Sequence, residues 1–260
     1  MERMSVNRWL NLLLFVVGIG LIGCDNDDTA SSIANLQDYL TTQQANMPAS
    51  VGLVACAAGN LSLDDLPLTV FYRTKTGGIS DLRYFESASV DIDPLDYNNY
   101  EEVSIENQSL FNGFMGKFEL PEPQTEKWSI VTYVANDTLW YCEPIKMESL
   151  TKPTAMPSGL ITVNMDTPLN PIFYWTDEAD TENVIYYQLI VDPNTNEAIS
   201  GTYTTDLQWQ FYDLSNVVFN VTEPGTEPEL VPNQIYKMIM MGVSEDNWVN
   251  LFGEFEFITI

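Results

Sequence analysis

The chain has 260 residues, with 37 acidic and 10 basic side chains and a formal net charge of −27. This charge opposes binding to nucleic-acid phosphates, which relies on Lys and Arg, and anionic lipid headgroups repel it as well. Histidine is absent, which excludes Ser-His-Asp and Cys-His catalysis and any His-ligated zinc site.

Residues 1–23 have the pattern of a removable export signal. Arg3 and Arg8 precede an uninterrupted apolar run of 11 residues, from Leu12 to Ile22. A transmembrane helix needs about 20 such residues, whereas the apolar core of a secretory signal needs only about 7–15. The sequence therefore predicts export rather than a membrane-spanning helix.

The apolar run ends in Leu21-Ile22-Gly23-Cys24. This stretch resembles the lipobox of bacterial lipoproteins, in which an apolar residue and two mostly small residues precede the Cys that is acylated. The resemblance implies cleavage before Cys24, lipidation of Cys24 and attachment to the membrane through the N-terminal lipid. An ordinary signal with an incidental Cys is the alternative.

An acidic segment, Asp25-Asn26-Asp27-Asp28, follows directly. It resembles the surface-export signals of Bacteroidetes-type lipoproteins. This resemblance implies a protein that is lipid-anchored in the cell envelope at the outer membrane, with exposure on the cell surface as one option. A solvated polar tether is the alternative.

Residues 24–48 predict a tether and a short N-terminal helix. From Ile33 onward, apolar residues recur at intervals of three or four, as on one face of a helix. Ser31 or Ser32 would cap the start of this helix, and Pro48 would stop it.

Residues 49–148 predict a first β-sandwich domain. Short apolar segments alternate with turn residues here, and the hydrophobic content of 45% supports a packed core. No motif fixes the family of this domain. The predicted strands are Val51–Ala57, Leu68–Thr74, Asp81–Ala88, Glu102–Ile105, Phe114–Leu120, Trp128–Val134 and Thr138–Ile145.

Residues 149–158 contain two prolines and small polar residues, which is typical of a linker. A second set of short strands follows in residues 159–260 and predicts a second sandwich. These strands are Leu160–Met165, Ile172–Trp175, Val184–Val191, Ala198–Thr204, Leu207–Tyr212, Val217–Val221, Ile235–Val243 and Leu251–Ile258.

The second set resembles a fibronectin type III domain. The resemblance rests on Trp175, on Tyr186 and Tyr187, and on the Leu-x-Pro-x-x-x-Tyr spacing of residues 230–236. It implies that Tyr236 forms a tyrosine corner, in which the hydroxyl hydrogen-bonds to the backbone of the preceding turn. The proline-bearing stretch 222–232 departs from the family and leaves the strand order there open.

The densest acidic loop contains Asp91, Asp93 and Asp96. Calcium takes six to eight oxygen ligands, and these residues could supply three of them. The loop lacks the central Gly and the terminal Glu of an EF-hand loop, and a solvated loop is the more ordinary interpretation. Apart from this Ca²⁺ hypothesis, no cofactor is expected.

Aromatic residues in loops are the candidate ligand contacts. Trp248 follows Ser244-Glu245-Asp246-Asn247, where an exposed Trp would be a binding anchor. The alternative, which we favour, is a Trp that folds back over the end of the sandwich. Tyr97 and Tyr100, beside the acidic loop, are weaker candidates. Trp128, Trp140, Trp175 and Trp209 lie in predicted strands and are expected in the core.

Two cysteines, Cys56 and Cys142, remain apart from Cys24. In an oxidising envelope they would pair as a disulfide. Separately buried free thiols are an equally good interpretation, because both cysteines lie in apolar strand segments.

The sequence thus predicts an all-β protein with two immunoglobulin- or fibronectin-like sandwich domains after a signal peptide and a short helix. We expect a non-enzymatic interaction or scaffold subunit of an outer-membrane assembly, whose partners are other outer-membrane proteins and not nucleic acid. The runner-up function is a surface glycan-binding lipoprotein for polysaccharide uptake. A carboxylate-dependent hydrolase is a third and weaker hypothesis. With 37 acidic residues, some carboxyl groups lie close together by chance, so the sequence does not identify a catalytic pair.

Overall fold

A computed structural model describes residues 34–59, 68–121, 124–177, 182–222, 225 and 227–260. In these residues a short α-helix precedes a series of β-strands, which confirms the predicted all-β class. The predicted signal, the predicted lipidation site Cys24 and the predicted acidic tether lie outside the described residues.

The helix α1 spans Leu36–Gln44 and belongs to the core of the first sandwich. Its buried side chains include Tyr39, whose ring packs 5.7 Å from that of Phe85. The side chain of Asn35 caps the helix by accepting a hydrogen bond from the Asp38 N–H at 2.9 Å. The prediction of a serine cap is therefore wrong, because the helix begins later than expected.

The first sandwich consists of two sheets. Sheet A has the strand order β1-β9-β8-β4-β5, with β10 also pairing with β8, and sheet B has the order β2-β3-β7-β6. The strands are β1 Ala49–Val51, β2 Ala55–Gly59, β3 Leu68–Arg73, β4 Ser80–Ser87, β5 Tyr100–Glu102, β6 Asn107–Leu110, β7 Met115–Leu120, β8 Lys127–Ala135, β9 Thr138–Tyr141 and β10 Ile145–Met147.

Three predicted strands of this sandwich differ from the observed ones. The predicted strand 51–57 divides at Gly52, whose φ of +147° lets the chain pass from sheet A to sheet B. The predicted strand 138–145 divides before Pro144, which has no N–H to donate to a strand partner. The predicted strand 102–105 is wrong, since β5 ends at Glu102 and β6 begins at Asn107.

The second sandwich also has two sheets. Sheet C has the order β16-β14-β13-β17-β18, and sheet D has the order β11-β12-β15. The strands are β11 Ile161–Asn164, β12 Ile172–Trp175, β13 Ile185–Asp192, β14 Glu197–Thr204, β15 Gln208–Gln210, β16 Val217–Asn220, β17 Ile235–Val243 and β18 Val249–Ile258.

The predicted tyrosine corner is present in the second sandwich. The hydroxyl of Tyr236 accepts a hydrogen bond from the Val231 N–H at 3.0 Å, and the ring is buried. The strand order left open by stretch 222–232 is also resolved: β16, which precedes it, pairs with β14 and extends sheet C. The second sandwich is thus fibronectin type III-like with an added edge strand.

A third hydrophobic core joins sheets B and C. In β2, Ala55 and Ala57 face the core of the first sandwich, whereas the alternate residues Cys56 and Ala58 face sheet C. Strand β13 divides in the same way, with Tyr186 and Ile190 in the second sandwich's own core. The buried members of the third core are Ala58, Phe71, Phe114, Met115, Tyr187, Leu189, Val191, Ile239, Met241, Val243 and Val249.

The four sheets are consequently stacked in the order A, B, C, D, and strands β3 of sheet B and β13 of sheet C are buried on both faces. A polar contact reinforces the third core. The guanidinium of Arg73 lies 3.7 Å from the centre of the Phe114 ring and donates to the Val221 carbonyl at 3.2 Å. The two sandwiches therefore pack against each other through a core of their own, while the limits predicted for the two domains stay a prediction.

Candidate functional site

Trp248 is buried rather than presented to a ligand. It has no exposed surface, and its indole lies in the core of the first sandwich although its chain segment belongs to the second. The indole Nε1 donates to the Lys152 carbonyl at 2.7 Å, and the Ala57 N–H donates to the Asn247 carbonyl at 3.1 Å. The hypothesis of a ligand-binding Trp248 is wrong, because this loop docks on the first sandwich.

The two tyrosines beside the acidic loop are largely structural. Tyr100 is fully buried, and its hydroxyl donates to the Pro94 carbonyl at 2.8 Å. Burial raises the pKa of Tyr100 far above its usual value. Tyr97 is half-buried, with its ring edge-to-face against Tyr100 and Tyr141. Tyr100 is therefore not a ligand contact, and Tyr97 offers only part of its ring.

The aspartates of the acidic loop cap turns. Asp93 accepts a hydrogen bond from the Leu95 N–H at 2.9 Å. Asp96 accepts from the side chain and N–H of Asn98, and these bonds lower the pKa of Asp96. Asp91 is exposed. In the described part of the chain, no group of three or more His, Cys, Asp or Glu residues is placed to hold a metal ion, so the calcium hypothesis gains no geometric support.

Both described cysteines are free thiols, which is the alternative to the predicted disulfide. Cys56 packs against the third core, whereas Cys142 lies in the first sandwich's core and accepts a hydrogen bond from the Val131 N–H at 3.2 Å. Burial raises the pKa of each thiol to about 12. The two side chains belong to different cores, and burial keeps both thiols protonated at neutral pH.

The other four tryptophans divide into two groups. Trp175 and Trp209 are buried in the second core, as predicted. Trp128 and Trp140 are only half-buried. The ammonium group of Lys75 lies 4.0 Å from the centre of the Trp140 ring, and Lys75 also lines a cavity between the two sandwiches.

That cavity, which we call the interdomain cleft, has a volume of about 600 Å³. Three segments of the first sandwich line it: the β3–β4 turn (residues 74–79), strand β6 and the turn at residues 111–113. Glu197 and Ala198, at the start of β14, close it from the second sandwich. The volume falls in the range typical of sites for small ligands, which often lie between domains.

The floor of the cleft is a cross-strand row of three residues. Tyr72, Gly116 and Ser109 lie directly opposite one another on β3, β7 and β6. A Cβ atom at Gly116 would lie 2.2 Å from both Cζ and the hydroxyl oxygen of Tyr72. Only glycine at position 116 lets the Tyr72 ring lie across β7 toward Ser109.

The turn at residues 111–113 forms one wall of the cleft and has an unusual backbone. Phe111, Asn112 and Gly113 have φ values of +51°, +52° and +88°. Such values are rare for a bulky residue such as Phe. Each strained residue costs about 1–3 kcal/mol and persists only where its surroundings hold it.

Two anchors hold this turn in place. The hydroxyl of Thr74 donates to the carbonyls of Gly113 and, at 3.0 Å, of Phe114. The side-chain amide of Asn112 donates to the Thr195 carbonyl of the second sandwich at 3.0 Å. The position of Phe111 at the cleft is thus fixed by both sandwiches.

The polar groups of the cleft are nearly all neutral. Lys75 and Glu197 are the charged side chains among its lining residues, and their charges balance. The uncharged polar side chains are Thr74, Thr76, Asn107, Ser109 and Asn112. Sequence analysis missed this cleft, because its residues come from three stretches that are far apart in the sequence, 72–79, 107–116 and 197–198. The available local signals were Gly77-Gly78 and the Asn-Gly pair at 112–113.

A second surface feature is an exposed apolar ledge on sheet C. Ile235 and Ile258 are directly opposite each other on β17 and β18, and Ile260 follows two residues later. Their exposed fractions are 44%, 60% and 67%. In β17, Ile235 shares its face with Ile239, which is buried in the third core. The apolar ledge therefore continues the face that packs against the first sandwich.

No protein-family model matches the chain, and no curated protein is significantly similar to it. Solved structures that resemble it include the FN1–FN3 domains of chicken CNTN1, at 12% identity and a TM-score of 0.30, covering 82% of this chain and 69% of that one. A segment of two fibronectin type III domains from chicken tenascin matches at 11% identity and a TM-score of 0.31, covering 82% of this chain and 99% of that one. The fold assignment rests on the strand pairing described above. Among the described residues, no helix has the length and hydropathy needed to span a bilayer.

Proposed function

We propose that this chain is a non-enzymatic protein of the cell envelope, lipid-anchored at the outer membrane through Cys24, and acts as an interaction or scaffold subunit of a protein assembly. The observation that carries the proposal is the apolar ledge of Ile235, Ile258 and Ile260. Exposed contiguous apolar surface is characteristic of interaction sites.

The ledge has the chemistry of a protein-packing surface. The same face of sheet C is fully buried where the first sandwich covers it, so the ledge continues an interface that already packs against protein. Around it lie the carboxylates of Glu254 and Glu256, of which Glu254 pairs with Lys237 at 3.0 Å. The net charge of −27 repels anionic lipid. The fitting partner is therefore a protein with an apolar patch bordered by basic residues.

Rigid stacking of the four sheets supports the scaffold role. Because the two sandwiches share a core, the ledge is held at a fixed position relative to the first sandwich and its N-terminal helix. A fixed position limits the conformational entropy that is lost when a partner binds.

The test is co-purification from detergent-solubilised membranes of cells that express the tagged chain, with each partner quantified against the bait. We expect a stoichiometric partner that is lost from Ile258→Asp and from Ile235→Asp. A buried hot-spot residue contributes at least about 1–2 kcal/mol to the free energy of binding. An Asp on the ledge loses this contribution and adds the cost of removing its carboxylate from water. The loss should therefore exceed tenfold.

Val218→Asp is the matched control. Val218 is 56% exposed, like the ledge residues, but it lies on β16 at the opposite edge of sheet C. A partner retained by Val218→Asp and lost by Ile258→Asp supports the proposal. A partner that all three variants retain, or a chain that purifies alone, contradicts it.

Binding of a surface glycan is a second candidate function. The observation that favours it is the interdomain cleft. Trp248, the ligand contact suggested by the sequence, is buried and does not support it. A hydrolase is not proposed. Glycosidic hydrolysis uses two carboxyl groups, and the residues that line the cleft include one carboxylate, Glu197.

A further inference from the structure

We propose that the interdomain cleft binds a short neutral oligosaccharide, through Phe111 as an apolar platform and Asn107, Ser109 and Asn112 as hydrogen-bonding groups. This inference goes beyond the scaffold role and rests on the second candidate function, glycan binding. It assigns the residues of the site and the class of sugar.

The lining of the cleft matches the two surfaces of a sugar ring. A pyranose presents C–H groups on its faces and hydroxyls around its edge, so it is bound by an apolar ring together with groups that both donate and accept hydrogen bonds. Phe111, which is half-buried against the third core and lines the cleft, supplies the first. The second comes from the Ser109 hydroxyl, the Asn107 amide and the part of the Asn112 amide that is not bonded to Thr195. Asn107 and Ser109 are alternate residues of β6 and therefore point to the same side.

The charge of the cleft selects a neutral sugar. One lysine and one glutamate line it, and their charges cancel. Outside the cleft the chain is strongly acidic, with a net charge of −27, and this repels uronic-acid and sulfated glycans. A neutral glycan meets no such repulsion.

The site is preorganised by the contact between the two sandwiches. The Asn112–Thr195 hydrogen bond fixes the wall that carries Phe111, and Gly116 gives the Tyr72 ring its place on the floor. Little ordering is then required when a ligand binds, which favours affinity for a weakly interacting solute such as a sugar.

The first measurement is binding of the full chain in detergent to an immobilised array of glucans, xylans, mannans and galactans beside polygalacturonate and hyaluronate. We expect at least one neutral class to bind and the two acidic polymers to bind none. Titration calorimetry with the hexasaccharide of the bound class then gives the affinity of each variant.

Two variants locate the site. Phe111→Ala removes the platform, and Ser109→Trp fills the cleft from an exposed position on an edge strand. We expect Phe111→Ala to weaken binding at least tenfold and Ser109→Trp to abolish it. Their matched controls are Phe219→Ala, a 50% exposed Phe on β16, and Gln108→Trp, which places the same indole on the opposite face of β6. Both controls should bind like the unaltered chain.

The proposal is overturned if the array shows no binding to a neutral glycan, if only acidic polymers bind, or if Ser109→Trp binds as tightly as Gln108→Trp. None of these results affects the partner lost in Ile258→Asp, which tests the scaffold role. The failure of one proposal is therefore distinguishable from the failure of the other.

Discussion

The indole Nε1 of Trp248 donates a hydrogen bond to the carbonyl oxygen of Lys152 at 2.7 Å. This bond joins the last hairpin of the second sandwich to the segment between the sandwiches, while the indole itself fills the core of the first. The same segment is held again at Thr154, whose hydroxyl donates to the Val249 carbonyl at 2.6 Å and accepts from the Gly59 N–H at 2.8 Å. The connecting segment is thus fixed on both sides.

Trp248→Ala should destabilise both sandwiches together. Truncating a fully buried Trp leaves a large cavity and costs about 3–5 kcal/mol. Because the indole and the third core link the sandwiches, we expect a single cooperative urea transition whose midpoint falls in the variant. Fluorescence and far-UV circular dichroism would follow it. Phe219→Ala, on the exposed edge strand, serves as the control and should change the free energy of unfolding by less than about 0.5 kcal/mol.

This expectation would be contradicted by two separate urea transitions in the unaltered chain, of which Trp248→Ala shifts only one. That result would mean that the third core contributes little to cooperativity.

The sequence predicts most strands well and the stacking of the sheets poorly. Strands β12 and β17 have the predicted bounds, because alternating and apolar segments between turn residues are local signals. Burial of β13 on both faces cannot be recognised from the local sequence alone. A run such as Tyr186 to Val191 fits a doubly buried strand, yet the sequence does not show which protein surface covers the second face.

The candidate sites also divide into features that local sequence predicts and features that depend on the packing of distant segments. Tyr236 was predictable because its corner depends on a spacing of a few residues. Burial of Trp248 was the favoured interpretation, but its place in the core of the first sandwich was not predictable, because that sandwich is far away in the sequence. The interdomain cleft also escaped prediction, since Lys75, Ser109 and Glu197 are far apart in the sequence and meet only in three dimensions.

Tyr236→Phe should lower stability by about 1–2 kcal/mol, because it removes the hydroxyl that accepts from the Val231 N–H and leaves the packing of the ring in place. Urea unfolding measures this difference. Tyr212→Phe is the matched control, since the Tyr212 hydroxyl accepts a hydrogen bond from exposed Asn220 and water replaces it. Equal effects of the two variants would show that the corner contributes nothing specific.

Cys24→Ser should abolish lipidation of the chain. In cells fed labelled palmitate, the unaltered chain should incorporate label and lose residues 1–23, as mass spectrometry of the N-terminal peptide would show. Cys24→Ser should incorporate none, because the acylated thiol is missing. Cys56→Ser provides the control, as Cys56 is partly buried against the third core and lies outside the lipobox, and should be labelled normally. Label retained in Cys24→Ser would refute the lipobox.

Stability should fall at alkaline pH because of the buried thiols. Burial raises the pKa of Cys56 and of Cys142 from 9.0 to about 12. Above pH 9 the thiols of the unfolded chain lose their protons while those of the folded chain keep them. The folded chain then binds more protons than the unfolded chain, so its stability decreases as pH rises from 9 toward 12. Each thiol contributes a loss of about 1.4 kcal/mol per pH unit in that range.

Urea unfolding at pH 8 and pH 10 measures this loss, which should total about 3 kcal/mol for the two thiols. The double variant Cys56→Ala, Cys142→Ala has no thiol to titrate in the described cores, so its stability should fall by about 3 kcal/mol less than that of the unaltered chain over the same interval, even though its cavities lower it at pH 8. Burial also raises the pKa of other groups, among them Tyr72, to about 12, and Tyr133. Because an unfolded tyrosine titrates near pH 10, these tyrosines add a loss that begins below pH 10 but is the same in both proteins. A double variant with the same pH dependence as the unaltered chain would place the alkaline transition on the tyrosines instead.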